Sequence, residues 1–117
     1  MSTKLPDSAV VVTQLAALAQ PHRLALFRAL VVAGQSGETA GKLGEMLAIA
    51  PATLSFHLKE LTRAGLIIAS QEGRYVRYHA AFATMQALLN YMTRNCCQGN
   101  DCLTESPCCP PQTEPQP

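Results

Sequence analysis

The chain contains no tryptophan and only six other aromatic side chains, three Tyr and three Phe, in 117 residues. A core must therefore be assembled from Ala, Leu and Val, a composition that favours helices over sheets. No apolar run approaches the roughly 18 residues of a membrane span. VVVTQLAALAQ resembles a secretory leader, but Lys4 is the only cation before it and Thr13 and Gln14 interrupt it. It reads better as an amphipathic helix. A cytoplasmic protein is expected, with its thiols reduced. The chain has no C-x-x-C pair, no phosphate-binding glycine loop, no paired carboxylates and no cysteine set beside a histidine, so nothing supports an enzyme. Cysteine is absent until residue 96, and then NCCQGNDC places three in eight positions.

Length allows one domain with a single core. The formal charge of +1 conceals an asymmetry. Residues 1–95 hold all nine Lys and Arg against five Asp and Glu, a balance of +4, whereas Asp101, Glu105 and Glu114 follow. A body of that sign, doubled in a dimer, is suited to a polyanion such as DNA.

Asp7 and Ser8 can cap a first helix carrying Val11, Leu15 and Leu18 on one stripe. Pro21 opens a second, HRLALFRALVVA, closed by Gly34, with Leu24, Phe27 and Leu30 to Val31 facing inward. Thr39 can cap a short third helix with Leu43 and Leu47 four apart. Pro51 opens a fourth, ATLSFHLKELTRA, whose Leu54, Leu58 and Leu61 point inward and which Gly65 ends. Third and fourth together form a helix-turn-helix. The period then shifts from 3.6 to 2: LIIASQ and RYVRYHA read as a hairpin turning at Glu72 and Gly73. A final helix carries Phe82, Met85, Leu89 and Met92 on one stripe. The expected fold is mainly α with a β-hairpin, a winged helix-turn-helix of order ααααββα. Residues 1–95 are expected to form this domain; residues 96–117 are a Cys-rich segment and a Pro-rich tail that is disordered by composition.

Such a scaffold places one helix in the major groove and sends the hairpin to the neighbouring backbone. Thr53, Ser55 and His57 have hydrogen-bonding heads for base edges, and Lys59, Arg74 and Arg77 can neutralise phosphate. Any one of these fits a solvated face as well as a DNA contact; the set on this scaffold points to double-stranded DNA. Phe56 could reach a thymine methyl, but beside Leu54 and Leu58 it is assigned to the core. His57 is set aside as a metal ligand, and His22 and His79, which are isolated, read as capping or surface groups.

PATLSFHLKELTRAGLI followed by EGRYVRYHA, together with ALAQPHRLALFRAL, resembles the ArsR/SmtB family of winged-helix, metal-sensing repressors over about residues 8–95. The resemblance implies a homodimer built on the first and last helices. It implies too that the dimer sits on a palindromic operator and leaves when an inducer binds. The family's Cys-x-Cys arsenic site has no counterpart in GKLGEMLAIA, and ATMQALLNYMTRN lacks the His and acidic pairs of its zinc site. A third arrangement, a vicinal Cys pair plus a third Cys just after the last helix, is similar to NCCQGNDC. Cys96, Cys97 and Cys102 carry over onto it.

Thiolates select soft acceptors: a trivalent metalloid, Cu(I) or Zn(II). Three sulfurs suit As(III) or Sb(III), whose lone pair takes the fourth corner, whereas structural zinc takes four ligands. Adjacent cysteines lie about 3.8 Å apart at Cα, below the roughly 4.4–6.8 Å of an unstrained disulfide, which argues against a Cys96–Cys97 bridge. To let neighbouring thiols converge, the helix should end here, through left-handed residues such as Asn95 and Gly99. Cys108 and Cys109 are assigned an accessory role or none. The rival readings are a thiol-oxidation switch or other soft-metal sensor on the same scaffold and, in a different class, a metal-carrying thiol protein.

Overall fold

The computed structural model describes residues 7–99; Cys102, Cys108, Cys109 and the Pro-rich tail lie outside them. Helix α1 spans Ser8–Leu18, α2 Pro21–Ala33, α3 Ala40–Leu47, α4 Pro51–Arg63 and α5 Phe82–Thr93, with strands β1 Glu38–Thr39, β2 Ile67–Glu72 and β3 Tyr75–Ala80. The winged helix-turn-helix is thus formed, with one addition. Thr39 pairs with Arg77 and Glu38 with Tyr78, giving a three-stranded antiparallel sheet in the order β1-β3-β2. Two residues are too few for a period-2 pattern, so this strand has no signal in the sequence. No single described helix is long and apolar enough to cross a membrane.

The expected caps form. Asp7 Oδ1 accepts from Val10 N at 3.4 Å, and Thr39 Oγ1 from Lys42 N at 3.4 Å. Gln20 caps α2 by accepting from Arg23 N at 2.9 Å, a role its side chain does not announce. Gly65, at φ 80°, ends α4: its N–H bonds to Thr62 O and that of Leu66 to Leu61 O, both at 3.0 Å. Leu61 and Leu66 are both buried, so this Schellman turn closes the helix and delivers the chain to β2 with an apolar contact beneath it.

The side chains most completely enclosed are Leu26, Leu30, Leu43, Leu61, Leu66 and Ile67. Each such burial contributes about 1.5–3 kcal/mol. Leu54, Leu58 and Leu61 face inward as expected, as do Leu43 and Leu47 on α3, whereas the stripes of α1, α2 and α5 need correction. On α1 the buried residues are Val11, Gln14 and Ala17, and Leu15 is exposed. On α2 they are Leu26, Phe27 and Leu30, and Leu24 is 48% exposed. On α5 only Leu88 is buried; Phe82 and Met85 pack against the core, while Leu89 and Met92 face solvent. These helices are apolar on more than one side, so periodicity cannot choose the stripe. Val10, Val12 and Leu15 on α1 join Leu89 and Met92 as exposed apolar groups.

The hairpin turn lies one residue later than expected. Glu72 pairs with Tyr75, so Gly73 and Arg74 form the two-residue loop, with Gly73 at φ 60° supplying the positive φ that the Gly-X class of hairpin turns needs. Arg74 therefore sits at the wing tip and not in the strand.

Candidate nucleic-acid interface

Three residues, Ala48, Ile49 and Ala50, separate α3 from α4. Gly44 lets the two helices approach: a Cβ there would stand 3.2 Å from Leu54 Cδ2 and 3.3 Å from Ile49 O. Burial of Leu54, His57, Leu58 and Leu61 fixes the rotation of α4 about its axis. At 100° per residue the opposite face carries Ala52, Phe56, Lys59 and Arg63, with Ser55 and Thr53 on its flanks, and all six are exposed. No side chain caps the first turn of α4, so its leading N–H groups are open to a phosphate oxygen.

Thr53, Ser55 and Lys59 thus stand where a base or phosphate could meet them. His57 does not. It is only 6% exposed, and its ring is turned toward α2, where Arg23 Nε donates to Nδ1 at 3.1 Å and the His22 ring lies 5.4 Å away between centroids. Burial first, then the charge of Arg23 and then His22, hold its pKa below the ordinary 6.5. His57 is a neutral acceptor that ties α2 to α4, and its assignment to base edges is withdrawn. Phe56 is the converse correction: one position away, it is rotated out of the core to 53% exposure, with the Arg23 guanidinium carbon 5.6 Å from its ring centroid.

On the wing, Arg74 is exposed and its side chain makes no hydrogen bond or ion pair among the described residues. Arg77 is engaged: Nε donates to Glu72 Oε1 at 3.0 Å and Nη1 to the Ser36 carbonyl at 3.2 Å. It fastens the hairpin to the turn after α2 before it can serve a phosphate. Two exposed residues went unselected from sequence. Tyr75 is 65% exposed beside the wing tip, and Arg63 extends the α4 face while pairing with Glu60 at 3.1 Å. Their signal was positional, alternation from Arg77 and a step of four from Lys59.

Beyond α5 the chain turns through Asn95 at φ 61°, Cys97 at φ 54° and Gln98 at φ 57°. Asn95 takes the left-handed conformation foreseen for it. Cys96 is a half-buried free thiol, and Cys97 is disulfide-bonded. Cys96 being free, the exclusion of a Cys96–Cys97 bridge stands. Among the described residues no group of three His, Cys, Asp or Glu could hold a metal ion; Cys102 falls outside them.

A helix-turn-helix domain family matches residues 18–68. Comparison with curated proteins found no match. Among solved structures, HlyU from Vibrio cholerae N16961 is 30% identical, with a TM-score of 0.62 over 78% of this chain and 96% of that one. An ArsR-like transcriptional regulator from Rhodococcus sp. RHA1 is 26% identical, with a TM-score of 0.66 over 74% and 78%. This chain belongs to the ArsR family. HlyU in its reduced form is similar too, at 30% identity and a TM-score of 0.60 over 78% and 93%. A homodimeric winged helix-turn-helix DNA-binding domain from Mycobacterium bovis, 24% identical with a TM-score of 0.54 over 80% and 94%, shares the fold. ArsR-family membership makes this chain a transcriptional regulator with a DNA-binding helix-turn-helix.

Proposed function

We propose that this ArsR-family regulator is a homodimeric repressor released from its operator when As(III), or Sb(III), is taken by the thiolates of Cys96, Cys97 and Cys102. One observation carries the reading: α5, which presents Leu89 and Met92 outward, stops at Thr93, and the chain then leaves helical geometry at Asn95, Cys97 and Gln98. The vicinal thiols thereby escape the divergence that a helix imposes on neighbours. They also stand at the end of a helix whose apolar face suits a second copy. Closing three sulfurs around one pyramidal ion would draw that helix end inward and shift one recognition helix relative to the other. A coupling of about 1–3 kcal/mol lowers operator affinity roughly 5- to 150-fold. Metalloid uptake needs Cys97 reduced, because a disulfide sulfur offers no thiolate.

The test is anisotropy of labelled operator DNA titrated with arsenite, in a phosphine reductant that does not compete for the metalloid. Wild type should release the duplex, and Cys102→Ser should hold it. No release from wild type, or undiminished release from the variant, defeats the proposal.

A thiol-oxidation switch is the second reading, favoured by the disulfide at Cys97. The solution of HlyU in a specifically reduced form accords with it. Release by peroxide without metalloid, reversed by reductant, would select it.

A further inference from the structure

Phe56 is the one large apolar side chain on an otherwise small or polar face. It stands 53% exposed, with Ala52 one turn before it, Lys59 one turn after it and Arg63 two turns after it. Leaving about half of an aromatic side chain in water forfeits a like share of the stabilisation that burying it would contribute. Its neighbours hold it there. The Arg23 guanidinium carbon lies 5.6 Å from the ring centroid, the His57 ring lies 5.5 Å away at 58°, and the Nε–Nδ1 bond at 3.1 Å fixes Arg23 against His57. The ring can neither donate nor accept a conventional hydrogen bond, so the only base-edge feature in the major groove that it can cover is an apolar one. Thymine alone offers that, in its C5-methyl group.

We infer that Phe56 reads a thymine in each operator half-site, its ring covering the C5-methyl group, and that Arg23, bound to His57, is the positioning residue that holds the ring. The inference rests on α4 being the recognition helix. It deepens that reading by naming a base. Lys59, three residues on and exposed, is spaced to neutralise phosphate beside the contact.

Deoxyuridine differs from thymidine only by the missing methyl, so it isolates this contact. A duplex is first selected from a random library by the full-length wild-type protein, and each half-site thymine is then replaced in turn by uracil. At one symmetric position the replacement should weaken wild type about fourfold per methyl, about 15-fold for both half-sites together. Phe56→Ala should bind the thymine duplex more weakly than wild type and the thymine and uracil duplexes equally. Phe56→Leu should keep part of the discrimination. Arg23→Met should, like Phe56→Ala, bind the thymine duplex more weakly and lose most of the thymine preference, the second of which simple loss of a positive charge would not produce. A wild type indifferent to uracil at every half-site thymine, or a Phe56→Ala that keeps the wild-type ratio, overturns the assignment. A wild type that selects no duplex defeats the DNA-binding reading instead, so the two failures are distinguishable.

Discussion

Arg23 and His57 are joined across the packing of α2 on α4 by a hydrogen bond from Nε to Nδ1 at 3.1 Å. The bond requires a neutral imidazole, because Nδ1 must accept. Protonation would put a buried cation beside Arg23 and His22, and burial followed by those two neighbours accordingly keeps the folded pKa below 6.5. The unfolded chain titrates near about 6.5, so between the two values it binds the extra proton and folding loses ground as the pH drops. His57 thus contributes stability that is whole above about pH 6.5 and is lost as pH falls through the folded pKa. Urea midpoints should decline from pH 7.5 to pH 5.5, and His57→Asn, which keeps an acceptor near Nδ1, should flatten that decline. An unchanged slope in the variant would sink the assignment.

Ala48 sits in the turn between α3 and α4 at φ 55° and ψ 48°. Its N–H bonds to Glu45 O at 3.4 Å and that of Ile49 to Gly44 O at 3.1 Å, a Schellman ending whose left-handed position usually belongs to glycine. A Cβ in this conformation costs about 1–2 kcal/mol, partly offset by the greater unfolded-state entropy of glycine. Ala48→Gly should therefore stabilise the domain by about 0.5–1 kcal/mol, raising Tm by about 3–6 °C. A lower Tm by calorimetry would contradict this reading of the turn.

Gly37 is the opposite case. At φ 65° it lies against β3, where an added Cβ would collide with the Tyr78 carbonyl and stand 2.8 Å from His79 Cδ2. Gly37→Ala combines left-handed strain with backbone overlap and should cost about 2–4 kcal/mol. Because β1 follows immediately, hydrogen exchange at the β1–β3 pairing should accelerate more than at the β2–β3 pairing. A variant as stable as wild type would show that this turn has room to move.

The helix-turn-helix was legible because its signals are local and redundant: Thr39, Pro51 and Gly65 mark boundaries, and Leu54, Leu58 and Leu61 agree on one stripe. What escaped was set by partners distant in sequence. His57 and Phe56 differ by one step around α4; the stripe of Leu54, Leu58 and Leu61 takes position 57 inward at i+3 from Leu54 and leaves Phe56 nearly opposite. What no period within ATLSFHLKELTRA encodes is the partner of that buried imidazole, Arg23, 34 residues earlier. Likewise Leu24 and Leu26 are equally apolar, and only the position of α2 against its neighbours selects Leu26 for burial. Strand β1 exists because Gly37 permits the close approach to β3, a tertiary fact carried by two residues.

The two wing arginines differ in what engages them. Arg74 occupies the hairpin tip, exposed, whereas Arg77 is spent on Glu72 and the Ser36 carbonyl. Each phosphate neutralised contributes about 0.9 to the slope of log affinity against log salt. Arg74→Ala should therefore weaken DNA binding and reduce that slope by about 0.9 per protomer, without altering thermal stability. Arg77→Ala should act in the other order. It frees Glu72 from its 3.0 Å partner and cuts the tie to the turn after α2, so the hairpin should loosen and its amide exchange quicken. Any affinity lost should then appear at every salt concentration, with the slope little changed. Measuring both variants by anisotropy across 50–300 mM salt decides the matter: equal slope changes would mean that Arg77 leaves Glu72 on DNA and serves the backbone just as Arg74 does.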